Sequence, residues 1–364
     1  MAQALGSLER VFVLTVGRQG WLPEGAEPEI GEELLSRQDE LNWSALTTQL
    51  YRQRLLGLAW CMLSGPWLAA GGRLPRGYAL WETWYRATAH RSLLVQREIG
   101  RFTGALRAAG VEVLLRRGPA MLGRVYPDPG IRPMSDVDVL VRRGQEDAFM
   151  ATMAESGYVS GRLSPGRDSV VPSEAKPASG LSRLFLPTGD LVQPVLIVDP
   201  EHGLGTEPGG GVADDQLFAS SVDEERVGTG TLRVMAAHHL LTDVCVHLFE
   251  ESTTYAYVRR GRHQRIAQYV DVCACAVRAG VDWDQLIDSV CRNNCAAAVY
   301  FALANALRLY PSAPVPENVV ESLRRHAGGD PGFLDSYRDP AGAYSRRWST
   351  GLVERVFEED LSAV

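Results

Sequence analysis

The sequence predicts an α+β protein in which a small α/β unit lies between an N-terminal and a C-terminal helical region. Three observations predict it. Apolar residues recur at helical intervals up to about residue 110 and again beyond about residue 235. Between them, short β-branched and leucine runs alternate with an amphipathic segment. The 364 residues, 45% hydrophobic and 22% charged, suffice for a buried core in two or three structural units. The expected boundaries are 1–110, 111–234 and 235–364.

Taken in order, Ile30 to Arg37 begins a helix. Trp43 to Ser64 continues with Leu46, Leu50, Leu55 and Leu58 at helical spacing, and Gly71, Gly72 and Pro75 break it. A long helix is predicted from Tyr78 to Ala109, capped by Gly110. Val111 to Leu115 reads as a buried strand, Pro119 to Tyr126 as one or two helical turns, and Pro127 to Pro133 as a rigid loop. Val137 to Val141 is a second strand, and Gln145 to Ser156 is a helix ended by Gly157.

Gly161 to Gly180, rich in Gly, Ser and Pro, is expected to be a mobile loop. Leu181 to Leu186 and Leu191 to Val198 read as a strand pair joined near Thr188-Gly189-Asp190, and Asp199 to Gly211 as a glycine-rich loop. Helices follow at His238–Phe249, Gln264–Arg278, Trp283–Asn293 and Ala296–Leu309, then helix mixed with Gly and Pro.

The net charge of −7 argues against a nucleic-acid coat or an anionic membrane surface, both of which reward a basic footprint. Lys176 is the sole lysine, so nearly all positive charge is arginine, as a GC-rich genome would favour. No apolar run approaches the length of a membrane span, and Met1 to Arg10 lacks the pattern of a secretion signal, so a cytoplasmic protein is expected. Cys61, Cys245, Cys273, Cys275, Cys291 and Cys295 lie in apolar, helix-like sequence. They are expected to be small buried side chains rather than disulfide partners or, with His247, zinc ligands.

The chemistry concentrates in Arg116-Arg117-Gly118-Pro119 and in Arg132-Pro133-Met134-Ser135-Asp136-Val137-Asp138-Val139-Leu140-Val141. Asp136 and Asp138 stand two apart, so strand alternation sends both carboxylates to one face. Two acids set among Val137, Val139, Leu140 and Val141 repel each other and resist burial unless a cation lies between them. Magnesium suits such oxygen donors and completes its shell with water and substrate phosphates. The bland alternative is a pair that caps a strand and faces solvent or an arginine such as Arg132.

This segment resembles the signature of the polymerase-β-like nucleotidyltransferase superfamily. More narrowly, it is similar to bacterial "nucleotidyltransferase family" proteins, whose pattern is Lys-Gly, then Arg-Pro, then Ser-Asp-hydrophobic-Asp. The similarity extends to Val246-His247-Leu248, Tyr269-Val270-Asp271 and Asp282-Trp283-Asp284.

The resemblance implies a small mixed β-sheet nucleotidyltransferase core with a two-metal site. The implied ion is magnesium, with manganese as the alternative, and the implied substrate is a nucleoside triphosphate. The implied reaction transfers a nucleoside monophosphate to a hydroxyl-bearing acceptor and releases pyrophosphate. Asp136 and Asp138 match the metal-binding acids, and Arg132 and Ser135 match the residues before them. Gly118-Pro119 stands where the superfamily has Gly-Ser, which removes a hydroxyl and a backbone donor. Arg117 stands where the narrower family has lysine. The family's third acid is expected at Asp199, which ends Val195-Leu196-Ile197-Val198, with Glu201 of Glu201-His202 as its rival.

Further residues weigh less. His238, His239, His247 and Asp271 are expected to be structural. Gly209 to Gly211 is no phosphate loop, because no Gly-Lys-Ser/Thr follows. Arg259, Arg260, Arg262 and Arg265, near Tyr255 and Tyr257, read as a solvated face. A small-molecule or peptide acceptor is expected ahead of RNA. Two other functions remain open: a degenerate binding or scaffold protein, and a toxin-like enzyme that modifies tRNA or protein.

Overall fold

A computed structural model describes residues 5–23, 25–26, 29–166, 168–173, 179–206, 210–226, 229–261, 264–328 and 330–357. Lys176, Gly209 and Arg262 lie outside the described residues. The chain divides into two compact units. One comprises Met1–Tyr85, Thr206–Gly210 and Leu241–Val364; the other comprises Arg86–Gly205 and Gly211–Leu240.

The first unit is largely helical. Its helices include Ser7–Gln19, Trp43–Arg52, Leu56–Met62, Ile266–Arg278, Trp283–Arg292, Ala296–Leu309 and Glu317–His326. The stretch predicted as one helix from Trp43 to Ser64 is broken at Gln53–Leu55, where Arg54 takes a φ of +59°. A side chain is strained in that left-handed region, so the helix cannot run through it. Ala296–Leu309 is buried on most faces, as its alanine-rich composition allows. Cys245, Cys273, Cys275 and Cys295 are buried thiols.

Two buried glutamines join the ends of the sequence within this unit. Gln49 Nε2 donates to the Phe357 carbonyl at 3.1 Å, and Gln53 Nε2 to that of Val356 at 2.6 Å. Gln53 Oε1 accepts from the Ile266 amide at 2.7 Å. The buried Arg355 guanidinium reaches Gln264 and Asp335, each at 2.7 Å. Each buried polar atom so paired avoids the roughly 1–3 kcal/mol penalty of being left unsatisfied.

The second unit is built on an eight-stranded mixed sheet. In chain order its strands are β1 (Val113–Leu115), β2 (Val137–Val141), β3 (Val159–Leu163), β4 (Val170–Pro172), β5 (Leu184–Pro187) and β6 (Val195–Glu201). The short pair β7 (Leu204–Thr206) and β8 (Gly210–Val212) stands outside the sheet, which is completed by β9 (Val222–Arg226) and β10 (Gly230–Val234). The order across the sheet is β4-β3-β5-β6-β2-β1-β10-β9. β2 runs parallel to β6 and antiparallel to β1, so the sheet is mixed. The α+β class read from the sequence is therefore observed.

Three local differences from the sequence expectation have physical causes. The segment read as a loop from Gly161 carries the edge hairpin β3–β4, none of whose residues is buried, so it lacks a two-residue apolar alternation. The hairpin β9–β10 was not anticipated, because Val222-Asp-Glu-Glu-Arg reads as solvated sequence. β6 continues past Asp199 to Glu201 and contains Pro200. The ladder with β5 ends at Val198, so the amide missing at Pro200 removes no hydrogen bond on that side.

β2 is buried along its whole length, with Val137, Val139, Leu140 and Val141 at 1% exposure or less. Burying such a side chain contributes about 1.5–3 kcal/mol. These neighbours offset the penalty of placing the Asp138 carboxylate in the same strand.

Candidate active site

Three acids converge at β2 and β6. Asp136 immediately precedes β2 and Asp138 lies within it, so alternation places both on one face. The parallel register sets Asp138 beside Asp199 and Leu140 beside Glu201. The carboxylates of Asp136, Asp138 and Asp199 each offer an oxygen, and these oxygens all lie within 4.8 Å of one another.

Asp138 is 8% exposed. Burial pushes its carboxyl up to about 7. The Arg117 charge opposes that rise, the neighbouring Asp136 adds to it, and Arg116 and Glu201 make opposite, smaller contributions. An acid raised in this way carries its charge at neutral pH only against the penalty of burial.

Three arginines pair with these acids or with Glu201, and a fourth, Arg132, lies against the glycine that follows Arg117. Arg117 Nη1 donates to Asp138 Oδ1 at 3.4 Å, and its Nη2 lies 3.8 Å from Glu201. The Arg116 guanidinium, almost fully buried, donates to Glu201, while the Arg116 amide donates to the Asp138 carbonyl at 3.1 Å. Arg183, just before β5, donates to Asp199. That hydrogen bond, and the charges of Asp199, Asp136 and Asp138, hold Arg183 above the usual arginine value despite some desolvation. Arg132 lies against Gly118 and over the Tyr126 ring, at 6.0 Å from its centroid. Ser135 Oγ donates to Asp136 Oδ1 at 2.9 Å.

The residues on either side of Arg117 explain its placement. Arg117 has a φ of +44°, a left-handed conformation that a non-glycine side chain adopts at a penalty of about 1–3 kcal/mol. Gly118 follows, and a Cβ built there would meet Arg132 Nη1 at 2.5 Å. Glycine thus leaves room for the Arg132 guanidinium. The helix Arg117–Met121 has five residues, too short to serve as an anion-binding N-terminus.

The structure therefore brings Asp136, Asp138 and Asp199 together and sets Arg117 against them. Asp199 has its carboxylate in the acid group, whereas Glu201 is taken up by Arg116 and Arg117. Sequence reasoning missed Arg183. The available signal was pairing: the strand beginning near Leu184 lies antiparallel to β6, with Leu184 opposite Val198, which places Arg183 across from Asp199. Elsewhere in this unit, Ser220 Oγ and His239 Nδ1 are 3.0 Å apart, and burial lowers His239 to about 4. In the helical unit, Asp271 is buried on the helix Ile266–Arg278.

The donor set fits a divalent cation. It consists of hard carboxylate oxygens, one of them from a buried residue, all within 4.8 Å of one another.

A family model described as "Uncharacterised nucleotidyltransferase" matches residues 39–311, well over half of the chain. The chain belongs to this nucleotidyltransferase family. Asp136, Asp138 and Asp199 all fall within the matched span. No curated protein gives a significant match. Among solved structures, the crystal structure of an antigenic nucleotidyltransferase-like protein from Paracoccidioides brasiliensis is similar at 12% identity. The likeness covers 64% of this chain and 93% of that one, with a TM-score of 0.38. Among the described residues, no helix of this family member is long and apolar enough to cross a membrane.

Proposed function

We propose that this chain is a magnesium-dependent nucleotidyltransferase, with manganese as the alternative ion. It transfers a nucleoside monophosphate from a nucleoside triphosphate to an acceptor hydroxyl. The observation that carries the reading is the convergence of the Asp136, Asp138 and Asp199 carboxylates on one face of two parallel strands.

A divalent ion held by these three residues would neutralise them and the triphosphate oxygens they face. The residues do the rest by position. Arg117 and Arg132 supply fixed positive charge for the triphosphate tail, with Gly118 giving the backbone room to approach. Ser135 orients Asp136. Asp199 accepts the proton of the acceptor hydroxyl as its oxygen attacks the α-phosphorus. A new P–O bond forms, the α–β bridging bond breaks, and pyrophosphate leaves with the bonding pair. Most of the catalytic effect would come from positioning and charge neutralisation. The net charge of −7 favours a small molecule or peptide as acceptor over RNA, and the cytoplasm supplies both triphosphate and magnesium.

Calorimetry of the full chain with non-hydrolysable analogues of the four triphosphates tests the reading. At least one analogue should bind in magnesium and lose most of its affinity in chelator. If none of the four binds in magnesium, the proposal is wrong.

A further inference from the structure

Arg116, Arg117, Arg132 and Arg183 are not equivalent. Arg116 is nearly buried and fixed between Glu201 and the backbone of the core. Arg117 has a side-chain exposure of 16% and is set by its left-handed backbone. Arg132 is wedged against Gly118. Arg183 differs: its side chain is 53% exposed, it extends from the residue before a strand, and its donor contact falls on Asp199, a member of the triad.

Resting on the nucleotidyltransferase reading, we infer that Arg183 is a cation that exchanges between two partners. With the triad free of divalent ion, its guanidinium neutralises Asp199. When a divalent ion and triphosphate load, it leaves Asp199 and pairs with the anionic oxygens of the triphosphate.

Three physical points support this. The three carboxylates offer oxygens within 4.8 Å of one another, so a nearby guanidinium is drawn to them, and Arg183 already donates to one of the three, Asp199. A guanidinium and a divalent ion that share one carboxylate repel each other, so loading one weakens the other. The planar five-donor guanidinium matches phosphate oxygens as readily as carboxylate oxygens, and its exposed stem can swing without disturbing buried packing. Arg183 thereby spares the empty site part of its like-charge repulsion and supplies charge to the substrate once the site fills.

The exchange gives two effects of opposite sign for one substitution. In calorimetry on the full chain, Arg183→Gln should bind manganese alone about tenfold more tightly than wild type, because a competing charge is gone. The same variant should bind a non-hydrolysable triphosphate in saturating manganese about tenfold more weakly, because a phosphate partner is gone. Arg183→Lys, which keeps the charge but not the fork, should fall between. Thermal melting of each variant in chelator verifies that it is folded. If wild type binds manganese and Arg183→Gln binds it equally or less tightly, the exchange is refuted while the metal site stands. If neither wild type nor Arg183→Gln binds manganese, the metal site itself is refuted, and the inference falls with it.

Discussion

Two acid–arginine clusters in the sheet unit use the same residue types and reach opposite states. At one, Glu112 precedes β1 and accepts from Arg142 at 2.6 Å and from Arg233, while Arg142 also reaches Asp215 at 3.1 Å. Burial pushes Glu112 up, but the hydrogen bonds from Arg142 and Arg233 outweigh it, and the carboxyl ends below its usual value. At the other, burial dominates, and Asp138 ends at about 7 although Arg117 and Arg116 are near. The difference is depth of burial together with charge balance. Glu112 is one partly exposed acid between two arginines, whereas Asp138 is a buried acid beside two more acids. The first cluster is complete as it stands and reads as structure. The second holds a deeply buried carboxyl whose charged form is disfavoured, and that perturbation points to a ligand.

The comparison can be broken by substitution. The largest effect is expected for Asp136→Asn combined with Asp138→Asn. It should abolish divalent-ion binding and reduce nucleotidyl transfer by roughly a thousandfold or more, with the circular-dichroism spectrum unchanged. Turnover near the wild-type rate in this double variant would move the site elsewhere.

A smaller effect of definite sign is expected for Asp138→Asn in chelator. The folded-state value of Asp138 lies above its ordinary 3.8, so its contribution is fully present below that value and is lost as pH rises through about 7. The asparagine variant escapes that loss. It should be more stable than wild type at pH 8, by about 2 kcal/mol, and the two should converge toward pH 4. Denaturant unfolding across that range checks the sign; a variant less stable at pH 8 would contradict it. Magnesium should then raise the melting temperature of wild type and not of the variant.

The smallest effect should have the opposite sign. Glu112→Gln breaks a satisfied, half-exposed pair and should destabilise by about 1 kcal/mol. Because Glu112 is lowered below its ordinary 4.5, its contribution is full above that value and lost as pH falls beneath it. The difference between Glu112→Gln and wild type should therefore shrink in acid, which a pair of urea titrations at pH 7 and pH 3 would show.

Much of the site was legible because strand alternation is a local rule. The two-residue spacing of Asp136 and Asp138, within a valine-rich run, put both acids on one face without any tertiary information. Asp199 was legible as an acid after an apolar run, but its neighbours were not. The register that sets Asp199 beside Asp138 joins strands some sixty residues apart. That register also turns Glu201 to the arginines, and the separate pairing of β5 with β6 sets Arg183 across from Asp199. Such pairings follow from sheet order, which composition and periodicity do not carry. The helices of the C-terminal half were legible from their 3.6-residue period. The edge hairpins β3–β4 and β9–β10 were not, because exposed strands lack an apolar stripe.

The glutamine ties in the helical unit bear on how the protein is made. Gln49 finds its partner carbonyl 308 residues later. At elongation rates of about 5–20 residues per second, the first helices would emerge roughly 15–60 s before the segment that pairs with Gln49. Phe12 can pack early against Trp43 and Trp67, but the carbonyl partners of Gln49 and Gln53 arrive only at the end of that interval. The sheet unit, contiguous apart from one short excursion, faces a shorter delay. Synthesis should thus pass through a stage with a finished centre and waiting ends, when a holdase chaperone has the most apolar surface to grip.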